Sequence, residues 1–306
     1  MRIVALRALG LGDLLTAVPA LRALREAGEV VIAAPRALAP LVALTGCEQV
    51  GATALAPLPP EAHHADLLVN LHGRGPQSHR VALAARPAEL VAFAHPDVPE
   101  TAGMSPWHAD EHEVARWCRL LREGAGLRAD PSCLDLPVPR LAPDLRAADG
   151  ATVVHPGAAS GARRWPATRF AAVAAAERAA GRRVVLTGAP AERPLALAVA
   201  RRAQLPDDAV LAGRTDLQAL AAVVGHAARV VCGDTGVAHL ATALRVPSVV
   251  LFGPTSPDRW GPPPDRERHR VLWAGRTGDP HAAQPHPGLL QIEPDDVLAQ
   301  LAGLPT

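Results

Sequence analysis

Residues 233–244, GDTGVAHLATAL, join an apolar run to a helical pattern through two glycines, an Asp and a Thr. At such a helix start the first backbone N–H groups point towards one spot, and the helix dipole favours negative charge there. The segment therefore predicts a site for an anion such as a diphosphate. A second interpretation stays open, in which Asp234 or Thr235 is an N-cap whose side chain satisfies the same N–H groups.

The first predicted strand ends in the turn RALGLGDLL, residues 7–15, which places Asp13 directly after Gly10 and Gly12. Backbone at glycines can approach a ligand closely. A carboxylate at this position could act as a general base, a role that contributes roughly 10²–10⁴ in rate, or it could cap the helix that follows. Leu15 stands where a G-x-G-x-x-G fingerprint requires glycine or alanine, and neither turn has Walker spacing. The turns therefore do not support a dinucleotide dehydrogenase or a P-loop NTPase.

His108 and His112 lie one helical turn apart within WHADEHEVARWC, residues 107–118. The segment does not match H-E-x-x-H and offers no third ligand, so a polar helix start is favoured over a metal site. The four cysteines are far apart and form no C-x-x-C pair, which indicates neither a zinc site nor a redox motif and fits a reduced cytoplasmic setting. We expect no metal and no bound cofactor.

Composition narrows the class of protein. The chain has 306 residues, of which 49% are hydrophobic and 20% charged, so it can bury a large core and favours two domains. Its formal charge is +1, and all 31 basic residues are arginines without a visible cluster, which argues against nucleic acid as a partner. The N-terminus resembles a signal peptide, but Arg7 and Asp13 interrupt its apolar core, and no other run is long enough to span a membrane. We expect a soluble protein.

The elements that must position these residues alternate along the chain. Short apolar runs are separated by Ala-, Leu- and Arg-rich segments, a pattern typical of parallel sheets covered by helices. The first helix is predicted over residues 13–27, because apolar residues recur there every three or four positions. Residues 129–150 are rich in proline and predict a linker, with a domain boundary near residue 145. Strands are predicted at 2–6, 30–34, 67–71, 90–94, 152–155, 183–188, 209–213, 229–233 and 248–253.

This pattern predicts an α/β protein of two Rossmann-like, doubly wound domains, at residues 1–145 and 146–306. Ligands of open parallel sheets bind at the carboxyl ends of the strands. We therefore expect the chemistry at those ends.

Four segments of the chain resemble glycosyltransferase family nine, the lipopolysaccharide heptosyltransferase family. The match runs in order through nearly the full length, and the last segment is the most specific. The resemblance implies a GT-B architecture, in which the two Rossmann-like domains face each other across a cleft, with the acceptor on the N-terminal domain and the nucleotide sugar on the C-terminal domain. The segments are LGLGDLLTAVPALRALR at 9–25, HPGAASGARRWPATRFAAVA at 155–174, AGRTDLQALAAVV at 212–224 and GDTGVAHLATALRVPSVVLFGPTSPDRWGP at 233–262.

The resemblance also implies roles for individual residues in an inverting, metal-independent transfer. Asp13 matches the proposed catalytic base of the family. Asp234, Thr235 and Gly236 match the donor motif, with backbone N–H groups on the diphosphate and the Asp234 carboxylate on sugar hydroxyls. Arg163, in GARRWP, stands where the family usually carries a lysine, and its guanidinium can bind a phosphate through two hydrogen bonds.

Further candidates follow predicted strands or lie one turn into a helix. For three residues near these positions a structural role stays open: Thr215 could cap the next helix, His239 could face the core, and Trp165 could pack at a helix start. The acceptor-side turn NLHGRGPQSHR, residues 70–80, supplies exposed candidates on a predicted loop. The donor-side candidates are Gly157, Gly188, Gly213, Thr215 and His239, and the acceptor-side candidates are Gly12, His72 and Arg74.

The sequence thus predicts a cytoplasmic glycosyltransferase. By resemblance, its donor is an ADP-activated heptose, and its acceptor is a saccharide or a natural-product hydroxyl, with a peripheral contact to the inner membrane leaflet. Two alternatives stay open: another nucleotide-sugar enzyme such as an epimerase or a phosphorylase, and a catalytically silent protein that binds a nucleotide sugar.

Overall fold

The computed structural model describes residues 1–305 and divides the chain into two compact α/β units. Unit 1 is Met1–Leu136, and unit 2 begins at Pro137. The division falls nine residues before the expected boundary at 145. The intervening segment packs with unit 2, since Leu145 is buried and the Pro139 carbonyl lies 3.2 Å from Nε2 of His226.

Unit 1 is built on a five-stranded parallel sheet of order β3-β2-β1-β4-β5. Val4 at its centre pairs with Val31 on one side and Leu68 on the other. The strands are β1 (Arg2–Leu6), β2 (Glu29–Ala34), β3 (Glu48–Gly51), β4 (Leu67–Asn70) and β5 (Glu89–Val91), and the helices are α1 (Leu11–Thr16), α2 (Val18–Ala27), α3 (Ala39–Thr45), α4 (Gln77–Ala84) and α5 (Glu113–Ala125).

Unit 2 repeats this plan with a parallel sheet of order β10-β9-β8-β6-β7. The strands are β6 (Thr152–His155), β7 (Val184–Leu186), β8 (Arg229–Gly233), β9 (Ser248–Phe252) and β10 (His269–Trp273). The helices are α6 (Ala167–Ala179), α7 (Arg193–Arg202), α8 (Leu217–Gly225), α9 (Gly236–Ala243), α10 (Pro257–Trp260) and α11 (Pro294–Ala302).

The central strands could be predicted from the sequence because they are buried on both faces. Every residue of β6 and β9 is buried, as is the Val-Val-Cys-Gly run of β8. Strands covered by helices on both sides are continuous apolar runs without alternation. The core of unit 2 joins Val154, Val231 and Val249 from these strands to Trp165 and Phe170.

The strand order identifies one switch point in each sheet, where the chain reverses its direction of winding. It lies between β1 and β4 in unit 1 and between β6 and β8 in unit 2. Ligands of open α/β sheets bind outside the carboxyl ends of the strands at this point. The turn with Asp13 follows β1, and the turn with Asp234 follows β8, so both predicted sites lie at a switch point.

Two predicted elements are wrong. The strand expected at 209–213 is reduced to an isolated bridge between Val210 and Leu186. The helix expected at 13–27 begins at Leu11 and breaks into α1 and α2 at Ala17, and Pro19, which has no backbone N–H to donate, lies just past this break. The two edge strands β3 and β10 were not predicted.

Candidate functional site

The start of α9 presents free backbone donors at the switch point of unit 2. Thr235 is the N-cap, but no side chain caps this helix. Among residues 1–305, no acceptor is present for the N–H groups of Gly236 and Val237, and the first bonded amide is that of Ala238, which donates to the Thr235 carbonyl at 3.0 Å. The interpretation of this turn as a self-capped helix start is therefore wrong.

Asp234 stabilises the loop instead of capping the helix. Its side chain is buried, its N–H donates to the Leu251 carbonyl at 3.0 Å, and its carboxylate accepts a hydrogen bond from Thr255. Burial raises the pKa of Asp234, and the charge of Arg163 and the Thr255 bond oppose that rise. These contacts join the end of β8 to the end of β9 and the loop that follows it.

Arg163 lies beside the same helix start. One guanidinium nitrogen, Nη1, donates to the Asp234 carbonyl at 3.4 Å, and its buried Nε has no hydrogen-bond partner in the described part of the chain. The side chain is half-buried. The structure thus brings together a cation and the free N–H groups of α9, all of which are donors suited to a phosphate oxygen.

Glu192 is a candidate site residue that the sequence did not indicate. Its carboxylate lies over Gly157, where a Cβ atom would approach Glu192 Oε1 to 2.1 Å. The other oxygen accepts a hydrogen bond from the Ala189 N–H at 2.8 Å, and a Cβ on Gly188 would lie 3.2 Å from the Glu192 Cβ. Gly157 and Gly188 therefore make room for a carboxylate, and the only sequence signal was the Glu three residues after Ala189, the spacing of a helix-start contact.

The remaining donor-side candidates have different environments. Gly213 has φ +73, and a Cβ there would lie 3.1 Å from Pro190 Cα, so this turn favours glycine. Thr215 does not cap α8, because Asp216 accepts the Ala219 N–H at 2.8 Å. His239 stacks edge-on against Trp260 with ring centroids 5.8 Å apart.

Trp165 belongs to the core of unit 2. It is buried, stacks edge-on against Phe170 and donates from Nε1 to the Ile292 carbonyl at 3.0 Å. His155, at the end of β6, is also buried, and its Nδ1 lies 3.0 Å from Thr187 Oγ1. Burial lowers the pKa of His155, whereas Glu192 acts in the opposite direction.

In unit 1, Asp13 lies in the first turn of α1. Its Oδ2 accepts the Gly10 N–H at 3.1 Å, which is the reach-back contact of a helix start, and its side chain remains 30% exposed. The two readings of Asp13 are therefore compatible, because one oxygen is engaged by the backbone while the carboxylate stays accessible.

A buried arginine stands behind this turn. Arg7 follows β1 directly and is 1% exposed. It donates from Nε to the Asp13 carbonyl at 2.8 Å, and from Nη2 to Thr16 Oγ1 and Glu113 Oε1, each at 3.1 Å. It also donates to the Leu71 carbonyl, and its Nη2 lies 3.6 Å from Asp13 Oδ1.

The acceptor-side candidates differ in their relation to Asp13. His72 is half-buried, and its backbone N–H donates to Asn70 Oδ1 at 3.0 Å. Burial and then Arg7 lower the pKa of His72, while Asp13 opposes this effect, so the imidazole is close enough to sense both charges. Gly12 lies in the first turn of α1, and Arg74 is exposed on the loop after β4.

Unit 1 also has an open cavity of about 540 Å³ at the carboxyl ends of β1, β2 and β3. Arg36 is the charged residue in its lining, and its side chain lies over Gly51, where a Cβ would approach Arg36 Nε to 2.7 Å. The cavity does not include Gly12, His72 or Arg74. Its lining is Ala8, Leu9, Pro35, Arg36, Gly51, Ala52, Thr53 and Ala54.

The histidine-rich segment before α5 is a helix start. Nδ1 of His112 accepts the Val114 N–H at 3.2 Å. Within the described residues, no three His, Cys, Asp or Glu side chains are grouped so that they could hold a metal ion. No helix among residues 1–305 has the length and apolar character to cross a bilayer.

Comparison with known proteins relates the chain to one enzyme family. The model for glycosyltransferase family 9 (heptosyltransferase) matches residues 104–285, more than half of the chain. Lipopolysaccharide heptosyltransferase 2 of Salmonella typhimurium is 31% identical over 215 residues, which cover 62% of this chain and 61% of that protein. The chain spans only 44–61% of the length of the first three curated relatives that it matches.

Two solved structures share the fold. The Escherichia coli ADP-heptose lps heptosyltransferase II superposes with a TM-score of 0.78 at 21% identity, covering 99% of this chain and 98% of that one. An E. coli heptosyltransferase solved with ADP superposes with a TM-score of 0.74 at 18% identity, covering 99% of both chains. The family match includes the segments around Arg163 and Asp234, whereas the Asp13 turn lies outside it.

Proposed function

Because the chain belongs to glycosyltransferase family 9, we propose that it transfers a sugar from a nucleotide-sugar donor to an acceptor hydroxyl. The proposed donor is an ADP-activated heptose, as in the relatives named for that sugar, and the acceptor is a saccharide or a small-molecule hydroxyl. The observation that carries the proposal is the uncapped start of α9 beside Arg163 at the switch point of unit 2.

Unit 2 is proposed to hold the donor diphosphate without a metal. The Gly236 and Val237 N–H groups and the Arg163 guanidinium are donors for its oxygens, and they supply the positive potential that a divalent ion would otherwise provide. Asp234 contributes through the loop it stabilises, since its carboxylate is buried and hydrogen-bonded. The Glu192 side chain is partly exposed. We assign its carboxylate to hydroxyl groups of the ribose or the sugar, and we place Gly213, Thr215 and His239 near the nucleoside.

Asp13 is the proposed general base. The acceptor oxygen attacks the anomeric carbon, its proton passes to the Asp13 carboxylate, and the bond to the diphosphate oxygen breaks, so that the nucleoside diphosphate leaves with the electron pair. A single displacement of this kind inverts the anomeric centre. Gly12, His72 and Arg74 are proposed to contact the acceptor near this base, and the cavity beside Arg36 is proposed to take a more distant part of it.

The setting proposed for this reaction is the cytoplasm. The four cysteines, Cys47, Cys118, Cys133 and Cys232, are free, and burial raises the pKa of the Cys118 thiol to about 12, so that this thiol stays in its unreactive protonated form. A peripheral contact with the inner membrane leaflet follows only if the acceptor is a lipid-linked saccharide.

One observation favours a second candidate, a nucleotide-sugar-binding protein without turnover. Asp13 already accepts the Gly10 N–H, and this contact gives the carboxylate a structural role that needs no catalysis. This candidate keeps the donor site of unit 2 and lacks the base of unit 1.

The experiment has two stages. The first is calorimetric titration of the full chain with ADP, UDP, GDP and TDP, each in magnesium and in EDTA. Binding of ADP in EDTA supports a metal-independent donor site, binding only in magnesium overturns that part, and binding of a different nucleotide replaces ADP in the proposal. The second stage follows ADP release from ADP-heptose with a panel of saccharide and small-molecule acceptors, for the unchanged chain and for Asp13→Asn.

We expect Asp13→Asn to bind ADP as before and to lose roughly 10²–10⁴ in kcat. Donor binding without turnover on any acceptor would favour the silent-protein candidate. Formation of free sugar or sugar phosphate, without extension of any acceptor, would indicate another nucleotide-sugar enzyme and not a transferase.

A further inference from the structure

The buried cluster behind the Asp13 turn contains two arginines and two carboxylates that come from distant parts of the chain. Glu113, on α5, is 106 residues from Arg7, and it also accepts hydrogen bonds from Arg116 and from Trp117 Nε1, the latter at 3.1 Å. Arg7, Arg116 and Glu113 are all less than 6% exposed. Buried charges persist only when they are paired and hydrogen-bonded, and this cluster meets that condition.

Asp13 adds a second negative charge to the cluster. Arg7 and Arg116 carry two positive charges, whereas Glu113 supplies one negative charge. The Asp13 carboxylate, with Oδ1 3.6 Å from Arg7 Nη2, supplies the second. Asp13 is the accessible member of these four charged groups, and the other three are inaccessible to a ligand.

Arg7 also fixes the backbone that carries Asp13. Its Nε binds the Asp13 carbonyl at 2.8 Å and its Nη2 binds Thr16 Oγ1 at 3.1 Å, while Thr16 Oγ1 itself donates to the Asp13 carbonyl at 2.9 Å. The Trp117 ring covers the guanidinium, with its centroid 4.6 Å from Cζ. One planar side chain thus holds both the main chain and the side-chain orientation of Asp13, together with the Leu71 carbonyl after β4.

We propose that Arg7, held by Glu113, is a positioning residue that sets the location of the Asp13 carboxylate for proton transfer. Arg7 does not touch the substrate, because it is buried behind the turn. This inference rests on the proposed role of Asp13 as the base. Lysine cannot replace Arg7, since a single ammonium group does not reach the Asp13 carbonyl, Thr16, Leu71 and Glu113 together.

The test is a double-mutant cycle on the full chain, with ADP release from ADP-heptose and the acceptor identified in the screen as the assay. The variants are Arg7→Lys, Asp13→Asn and the combination. Arg119→Lys is the matched control, because Arg119 is another buried arginine of unit 1 that pairs with Glu111 and Glu123 and does not contact Asp13. ADP affinity by calorimetry and the melting temperature report whether each variant is folded.

We expect Arg7→Lys to lower kcat roughly 10- to 100-fold, because a displaced catalytic group costs up to that factor, while KM for the donor and ADP affinity change less than about twofold. Arg119→Lys should keep kcat within about twofold. In the Asp13→Asn background, Arg7→Lys should cost no more than about twofold, because residues that act through one another are not additive.

The outcomes separate this inference from the proposed function. If Asp13→Asn leaves kcat unchanged, Asp13 is not the base, and the role proposed for Arg7 falls with it. If Asp13→Asn lowers kcat but Arg7→Lys does not, only the role of Arg7 is overturned. Full additivity of the two substitutions would overturn it as well. If Arg7→Lys does not fold, Glu113→Gln takes its place. This variant keeps a side-chain oxygen that can accept from Arg7 but removes the negative charge of Glu113. A kcat equal to that of the unchanged chain would then overturn the inference.

Discussion

Nη1 of Arg163 lies 3.4 Å from the carbonyl oxygen of Asp234, so the loop after β6 is bonded to the loop after β8 at the switch point of unit 2. Arg163 has further guanidinium N–H groups, and its buried Nε has no partner among the residues that the structure describes. This contact places the Arg163 guanidinium beside the start of α9.

Arg163→Ala should weaken ADP binding roughly 10- to 100-fold, because a hydrogen bond to a charged group contributes about 1.5–3 kcal/mol. Arg163→Lys should recover part of this affinity, since lysine keeps the charge but not the two-point contact. Calorimetry with ADP measures both. The control is Arg164→Ala, which removes the neighbouring exposed arginine, and an equal loss in this control would show that only net charge matters.

Gly236→Pro tests the backbone donors of α9 directly. Gly236 is the first residue of the helix, a position where proline is well accommodated, and Thr235 before it is already extended at φ −145 and ψ 171. The substitution removes one N–H without disturbing the helix, so ADP affinity should fall about tenfold while the melting temperature is kept. Gly236→Ala is the control for added bulk, and if both variants bind ADP equally the N–H does not contact the diphosphate.

The sequence predicted the central strands and both turns at their ends, because fully buried parallel strands must be apolar runs followed by polar turns. It missed β3 and β10 because these edge strands are only partly buried and tolerate polar residues. The run at 209–213 misled the prediction, since Val210 and Leu211 are buried but their segment makes only a bridge to Leu186.

Within the sites, local motifs were predictable and long-range partners were not. Asp13, Asp234 and Arg163 were selected by sequence, whereas Arg7 and Glu113 were not. Their pairing spans 106 residues, and no spacing rule in a single sequence reports such a contact. The structural role of Asp234 was also missed, because its hydrogen-bond partner Thr255 lies in another loop, 21 residues further along the chain.

Gly157→Ala tests whether the Glu192 carboxylate contacts the ribose of the donor. A Cβ at Gly157 would lie 2.1 Å from Glu192 Oε1, so the carboxylate must turn away, although the backbone of Gly157 needs no left-handed conformation. ADP affinity should therefore fall in Gly157→Ala by about the same factor as in Glu192→Gln, and the double variant should lose little more. Gly73→Ala is the matched control, since its Cβ would meet nothing within 4 Å. Independent, additive losses would mean that Gly157 and Glu192 act separately.

Three buried or half-buried histidines determine the pH dependence that we expect for stability. Burial lowers the pKa of His155, His79 and His72 below their ordinary value of 6.5, which the unfolded chain retains. Below about pH 6.5 the unfolded state therefore binds more protons than the folded state, so the free energy of unfolding falls as pH decreases from there through the folded pKa values. Asp234 acts in the opposite sense at lower pH. Because its pKa is raised in the folded state, its protonation stabilises the folded state at low pH, and this contribution is lost as pH rises through the folded pKa.

The melting temperature should accordingly drop between pH 7.5 and pH 5.5, and His155→Gln should make that drop smaller, since it removes one histidine that must stay neutral to remain buried beside Thr187. Each unit by which a folded pKa lies below the unfolded one contributes about 1.4 kcal/mol to the change. His281→Gln, which removes an exposed histidine, should leave the slope as it is. If His155→Gln and His281→Gln give the same slope as the unchanged chain, His155 is not the group whose protonation opposes folding, and the acid sensitivity comes from other groups, with His72 and His79 of unit 1 among them.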